Sequence, residues 1–257
     1  MILIAAKILI GLMVGTLVGL TGLGGGMLLL PLLIFGLHVP PIVAVGSDAL
    51  INFVTKIAAG YLHWRQRTVN WAIVRALAKG SIPGAIAGVV LLAQVRARYG
   101  DGVNDFLKNG VGVLLVAIPM LLVVKKQLSQ SVPGFQLPKA NSAGGIIAIG
   151  ALAGFLVGFT SVGAGSVIMI LLLLFYGFAP AALVGTDIVH AVLLTGTTSL
   201  MHLRLGTVDL VLVSSVLLGS IPGGLLGTRL TARVPVYWLK RVLCVVIFIT
   251  GAKMLWV

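Results

Sequence analysis

Apolar residues run along this chain in eight long stretches, separated by short segments that carry most of its Lys and Arg residues. A helix needs about 20 apolar residues to cross the hydrocarbon core of a bilayer, and most of these stretches reach that length. The pattern therefore predicts an all-α polytopic membrane protein. The predicted apolar stretches are 2–37, 41–63, 71–95, 106–124, 143–178, 180–203, 208–228 and 236–257.

The stretches 2–37 and 143–178 are too long to be single spanning helices. As one helix, either would be about 54 Å long, well beyond the ~30 Å hydrocarbon core. Five glycines lie between Gly19 and Gly26, and each weakens a helix interior by about 1 kcal/mol relative to alanine. We therefore predict that each stretch is a broken or re-entrant helical hairpin, with its break at the glycines.

The second half of the chain repeats the first with an offset of 139 residues. Similar composition alone would align Leu with Val, whereas here Asp, His and Pro align in one register. This indicates two homologous repeats, 1–125 and 140–257, joined by a loop at 126–139, each with one hairpin and three transmembrane helices. The aligned motifs are GTLVGLTGLGGG (15–26) with GFLVGFTSVGAG (154–165), VGSD (45–48) with VGTD (184–187), HWR (63–65) with HLR (202–204), and GSIPG (80–84) with GSIPG (219–223).

The hairpins decide how the repeats are oriented. A re-entrant hairpin and three helices cross the membrane an odd number of times, which inverts the second repeat relative to the first, as in many secondary transporters. If each long stretch spans the membrane once, the repeats are parallel. The inverted arrangement gathers more of the Lys and Arg residues on one side, so the positive-inside rule favours it and places both termini outside.

Composition excludes several classes of protein. Of 257 residues, 59% are hydrophobic and 9% are charged, and the mean hydropathy is +1.18, so a water-soluble globule is excluded. The net charge of +13 does not indicate nucleic-acid binding, because the basic residues lie between apolar stretches and fix orientation in the lipid bilayer. The single Cys244 allows no disulfide or zinc spacing, and we expect no metal or cofactor.

The glycine-rich hairpin tips are candidates for an anion site. A helix that restarts within the membrane presents free N–H groups, and glycines let a ligand approach the backbone. The alternative is that these small residues allow tight packing of membrane helices. The predicted substrate-binding residues at the two tips are Thr21, Gly24, Gly25, Gly26, Thr160, Ser161, Gly163 and Gly165.

Charged residues inside the membrane are costly and usually functional. Asp48, Asn52 and Lys56 follow one another at four-residue spacing on one helical face, and Asp187 and His190 lie on the matching helix. We predict that Asn52, Lys56 and His190 bind the substrate, with Lys56 attracting its negative charge. The two aspartates carry protons, pair with Lys56 and His190, or cap helices that begin after Pro41 and Pro180.

The twin GSIPG motifs place Pro83 and Pro222 at equivalent positions. Proline kinks a helix, so these are the predicted hinges at which a rocking repeat bends. An enzyme is not expected, because the chain has five acidic residues, none of them Glu, and shows no convergence of nucleophile and base.

Together, the duplicated module, the Gly24-Gly25-Gly26 run followed by Pro31, the Val-Gly-Ser/Thr-Asp segments and the twin GSIPG motifs resemble the TauE/SafE family over essentially the whole chain. The resemblance implies transport of sulfite or a related organosulfonate across the bacterial inner membrane. We therefore expect a secondary transporter, a monomer or homodimer, that exports such an anion, with proton coupling left open. An uptake permease or a channel for another small anion is the alternative. The second repeat departs from the pattern at Ala164 and at Ile170, which replaces the proline.

Overall fold

The computed structural model describes residues 2–21, 25–65, 67–131, 143–163, 167–168, 172, 180–230 and 236–256. These residues form helices joined by short turns, and none of them lies in a strand. The helices are α1 (Ile2–Thr21), α2 (Gly26–Pro31), α3 (Pro41–Arg65), α4 (Trp71–Tyr99), α5 (Val103–Ser131), α6 (Ala143–Thr160), α7 (Pro180–Arg204), α8 (Leu210–Leu230) and α9 (Val236–Trp256).

The first long stretch is broken where the glycines lie. Helix α1 ends at Thr21, and α2 begins at Gly26 and continues through a π-helical turn to Gly36. These eleven residues rise about 16 Å, roughly half of the hydrocarbon core. Lys7, His38 and Pro40 line one cavity of about 460 Å³, so the chain returns towards the side from which α1 started. Of the predicted second tip at 160–165, the structure describes residues 160–163, and the remainder lies outside the described residues.

Glycines bring α1 against α8 and α6 against α4, so the helix that opens each half of the chain contacts a helix of the other half. On the α1–α8 contact, Gly219 lies against Ile8 and Gly227 against Thr16, so residue numbers rise together and the two helices run in the same direction. Helices α4 and α6 pack in the same way, with Gly80 against Ile147. Small residues at four-residue spacing allow such close backbone approach between membrane helices. The GSIPG motifs, which contain Gly80 and Gly219, therefore contribute to helix packing.

Helices α3 and α7 pack antiparallel in the centre of the protein. Gly60 of α3 lies near Val192, and Gly196 of α7 lies near Phe53. Beyond α3, the backbone N–H of Asn70 donates to the Thr186 hydroxyl at 2.9 Å. The matching N–H of Asp209 donates to the Ser47 hydroxyl at 3.0 Å. The contact is thus reciprocal between residues 139 positions apart.

The loops after α3 and α7 have the same local construction. His63 Nδ1 lies 3.0 Å from the Thr68 hydroxyl, and His202 Nδ1 lies 2.9 Å from the Thr207 hydroxyl. The side chains of Asn70 and Asp209 then accept hydrogen bonds from the first N–H groups of α4 and α8. Such N-caps fix where a helix begins, so both helices start at equivalent residues.

The outward surface of the helices is apolar, as lipid contact requires. Leu9, Leu200 and Leu218 are each more than 60% exposed. Within the described residues, three helical stretches are long and apolar enough to cross a membrane: 41–65, 71–121 and 210–227. Helix α5 begins at Val103 and continues to Ser131, beyond the predicted end at 124, because the Lys and Gln residues that end the apolar stretch are good helix formers.

Candidate functional site

The two predicted hairpin tips meet at the carboxylate of Asp48. Ser161, which directly follows α6 in the predicted second tip, donates a hydrogen bond to Asp48 Oδ2 at 2.8 Å. At the first tip, a Cβ added to Gly26 would lie 2.6 Å from the same oxygen and 3.0 Å from the Ser161 carbonyl oxygen. Only glycine leaves room for this approach, so Asp48 lies between the two tips.

Asn52 lies one turn further along the same face of α3. Its side-chain amide donates to the Asp48 carbonyl oxygen at 3.0 Å, which fixes its orientation. Its Oδ1 would lie 3.0 Å from a Cβ at Gly25. The tip of the first hairpin is therefore packed directly against the Asp48–Asn52 face of α3.

Helix α7 adds Asp187 and His190 to this polar cluster. Lys56 lies close enough to Asp48, Asp187 and His190 to interact electrostatically with all three. Asp48 and His190 are completely buried, and Asp187 is 8% exposed. Asp48 Oδ1, Asp187 Oδ1 and His190 Nδ1 have no hydrogen-bond partner in the part of the chain that the structure describes. Such atoms are rare in protein interiors, and here they are the ones available to a ligand or a proton.

His190 is held from α4 by a residue that the sequence analysis did not select. Its Nε2 lies 2.7 Å from the Ser81 hydroxyl, and both residues are buried. Ser81 belongs to the first GSIPG motif, so the repetition of that motif was the signal for it. Its counterpart Ser220 has no hydrogen-bond partner within the described residues, because Ile51 stands where His190 has its counterpart.

The other predicted residues fall into three groups. The Thr160 hydroxyl bonds within its own segment, donating to the Leu156 carbonyl oxygen at 2.7 Å and accepting from the Val162 N–H at 3.2 Å, so it shapes the tip. Gly163 has φ +94° and continues that turn. Gly24 and Gly165 lie outside the described residues, and so does the side chain of Thr21.

The structure contradicts one alternative for the aspartates. Helix α3 begins at Pro41 and α7 at Pro180, so Asp48 and Asp187 lie two turns inside their helices and cap neither. Pro83 and Pro222 lie within the continuous helices α4 and α8, with exposed side chains, and their hinge role stays a prediction. No group of three or more potential metal-ligating side chains occurs among the described residues.

The cluster is symmetric in backbone and asymmetric in chemistry. Asp48 and Asp187 are equivalent, but Asn52 corresponds to Ala191 and Lys56 to Thr195. One ammonium group, one amide and one tip hydroxyl thus accompany two carboxylates. The donors can bind an anion, and the carboxylates can accept protons.

The chain is similar to known proteins over almost its whole length. The chain matches the family described as Sulfite exporter TauE/SafE over residues 7–254. It is 37% identical to the probable membrane transporter protein YjnA of Bacillus subtilis (strain 168), over 96% of this chain and 98% of the relative. It is 25% identical to the probable membrane transporter protein YunE of the same organism, over 97% and 96% of the two chains. No solved structure matches the chain.

Proposed function

The chain belongs to the TauE/SafE sulfite exporter family, and from that premise we propose that it is a multi-pass secondary transporter that exports sulfite or a related organosulfonate. The relatives named as probable membrane transporters support the transport class. The substrate class comes from the description of the family. We place the protein in the bacterial inner membrane as a monomer or homodimer, with both termini outside.

The observation that carries the proposal is the buried polar cluster between the hairpin tips. Its hydrogen-bond donors are the Ser161 hydroxyl, the Asn52 amide and the Lys56 ammonium group. Helix α3 has 25 residues, so Asp48, Asn52 and Lys56 lie on either side of its midpoint, near the middle of the bilayer. Transporters of this general design bind their substrates there, at the interface between two repeats.

We further infer that the two repeats are inverted, as alternating access around a central site requires. Helix α1 runs in the same direction as α3, because Lys7 lies beside Pro40 and the tip after α1 reaches Asp48. Helix α4 runs parallel to α7, because Asn70 contacts Thr186 and, further along both helices, Ser81 contacts His190. Since α7 is antiparallel to α3, α4 is antiparallel to α3 and α1.

The directions of the helix pairs α1–α8 and α4–α6 also favour inverted repeats. Because α8 is parallel to α1 and α6 is parallel to α4, equivalent helices of the two repeats point in opposite directions. Lys253, near the end of α9, lies 5.0 Å over the Phe35 ring, close to the side where α1 begins. This contact supports placing both termini on one side of the membrane.

The experiment that tests the function is transport by the purified protein in liposomes. Vesicles that contain the protein are loaded with sulfite, sulfoacetate or sulfate. They are expected to release the anion that is the substrate faster than protein-free vesicles do. Saturation with rising concentration would distinguish a transporter from a channel. Counterflow in both directions would test export against uptake. No flux of any sulfur anion by folded protein would contradict the proposal.

An uptake permease or a channel for another small anion is the remaining alternative within transport. An enzymatic role receives no support from the comparisons, in which the relatives are named as membrane transporters. The liposome assay separates these classes, since only transport moves an unmodified anion across the membrane.

A further inference from the structure

We infer that Asp48 competes with the substrate for the space between the hairpin tips, and that the anion binds together with a proton taken up by Asp48. This inference rests on the proposed anion transport and adds the coupling ion and the residue that carries it. The Asp48 carboxylate lies where an anion held by both tips would lie.

The carboxylate already makes the contacts that an anion would make there. Asp48 Oδ2 accepts the hydrogen bond from Ser161 and fits against Gly26, where no side chain could stand. An anion that uses the same hydroxyl and the same gap cannot share them with an ionised carboxylate. Repulsion between two negative charges at this distance would add to the steric conflict.

The charges of the cluster lead to the same conclusion. Among the described residues of the cluster, Lys56 is the cation, whereas Asp48 and Asp187 are two potential anions. A further anion would leave the buried site with excess negative charge, which is costly in a medium of low polarity. Protonation of Asp48 offsets the charge of a monovalent anion, so the net charge of the cluster stays the same when the anion binds.

The titratable groups on the elements that pack against α3 narrow the choice of proton acceptor. Helix α7 contributes Asp187 and His190, the tip contributes Ser161, and α2 has no titratable residue. Helix α8 contributes Asp209 at its first turn, where the carboxylate caps its own helix. Helix α5 contributes Asp105 and Lys108, which pair with each other at 3.9 Å, and Asp105 is 83% exposed. Asp187 and His190 therefore remain the competing acceptors.

The test measures binding and proton uptake on the full-length protein in detergent. Methanesulfonate is the probe, because its charge is constant across the pH range whereas sulfite titrates near neutrality. In the wild-type protein, the apparent Kd for methanesulfonate is expected to rise with pH, by up to about tenfold per pH unit where Asp48 ionises. A pH-indicator dye in weakly buffered solution should report about one proton taken up per anion bound.

The variant Asp48→Asn has the size of a protonated carboxyl group and carries no negative charge, so it represents Asp48 with its proton bound. It should bind methanesulfonate at least as tightly as the wild type does at low pH, with a Kd that no longer depends on pH and without proton uptake. Asp101→Asn, which changes an exposed carboxylate, is the matched control and should behave as the wild type.

The outcomes separate the inference from the function on which it rests. Binding with a pH-independent Kd and no proton uptake in the wild type would overturn the inference alone, and this measurement needs no variant. Proton uptake that persists in Asp48→Asn but disappears in Asp187→Asn or His190→Gln would overturn the assignment to Asp48. No binding of methanesulfonate, sulfite or sulfoacetate at any pH would overturn both the inference and the proposed function.

Discussion

The Ser161 hydroxyl, directly after α6, donates a 2.8 Å hydrogen bond to the Asp48 carboxylate in α3. Both residues are buried, at 2% and 0% exposure, so the bond joins the two halves of the chain inside the protein. A hydrogen bond to a charged group that is buried in this way contributes more to stability than one exposed to water.

Removing this bond is expected to destabilise the protein. Ser161→Ala leaves the carboxylate without its partner and should lower the free energy of unfolding by about 1–3 kcal/mol. Thermal unfolding in detergent measures the loss. Ser214→Ala is the control, because that exposed hydroxyl bonds to the Val211 carbonyl oxygen of its own helix. Equal midpoints for the two variants would show that the Ser161 bond contributes nothing.

The close approach at Gly26 gives a second prediction. A methyl group there would lie 2.6 Å from Asp48 Oδ2 and 3.0 Å from the Ser161 backbone oxygen, and the latter cannot move away without shifting the tip. Gly26→Ala is therefore expected to reduce the transport rate by about tenfold or more. A tenfold change corresponds to roughly 1.4 kcal/mol in the activation free energy of transport. Gly25→Leu should abolish transport, because a larger group meets Asn52.

Gly36→Ala is the matched control for these glycine variants. Gly36 lies at the other end of the same hairpin arm, and a Cβ there would meet nothing within 4 Å. Liposome flux is measured for each variant beside its thermal midpoint. Full transport by a folded Gly26→Ala protein would refute the packing of the tip against Asp48 as a functional requirement.

The reciprocal contacts between repeats give a third prediction. Ser47 accepts from the Asp209 N–H, and Thr186 accepts from the Asn70 N–H, at nearly equal distances. Ser47→Ala and Thr186→Val each remove the accepting hydroxyl and leave a backbone N–H unpaired. Each substitution is expected to lower the free energy of unfolding by about 0.5–1.5 kcal/mol, and the two losses should be similar. An effect confined to one variant would show that the two halves are not energetically equivalent.

Much of this architecture is legible in the sequence, because membrane helices are encoded by simple rules of length and polarity. The glycine cluster that predicted the break in the first hairpin lies where α1 ends and α2 begins. Asp48, Asn52 and Lys56 share a face because four-residue spacing places side chains one above another on a helix. The family, predicted from the repeated motifs, is confirmed.

What the sequence could not supply is the packing of one helix on another. The bond between Ser81 and His190 joins residues 109 positions apart, and no local pattern specifies such a pair. The proline of the motif that contains Ser81 predicts a hinge, and the structure adds that its glycines contact α6 and its serine contacts the histidine. The capping role considered for Asp48 was wrong because Pro41, at the first position of α3, starts the helix earlier.

Lys56 gives a fourth prediction, which concerns affinity. A charge-assisted hydrogen bond to an anion is worth about 1.5–3 kcal/mol, so Lys56→Gln is expected to raise the Kd for the sulfur anion about tenfold or more. Lys56→Arg retains the charge and should restore part of the affinity. Calorimetric titration at one fixed pH measures all three proteins. Equal affinity in Lys56→Gln and the wild type would reassign Lys56 to balancing the charge of Asp48 and Asp187.

The orientation of the two repeats gives the last prediction, tested by cysteine accessibility in sealed vesicles. The background is Cys244→Ser, which removes the natural cysteine. Arg67→Cys and Arg204→Cys then place one thiol each near the equivalent ends of α3 and α7, where both arginines are exposed. Because α3 and α7 are antiparallel, an impermeant maleimide is expected to label these two positions from opposite sides of the membrane.

Trp256→Cys serves as a third probe in the same background. Trp256 is 93% exposed at the end of α9, and the contact between Lys253 and Phe35 places that end on the side where α1 begins. It should therefore be labelled from the same side as position 204. Labelling of positions 67 and 204 from one side would refute the inverted arrangement, because parallel repeats carry their equivalent loops on the same face. Labelling of 256 together with 67 would instead place the C-terminus on the opposite side and leave the inversion intact.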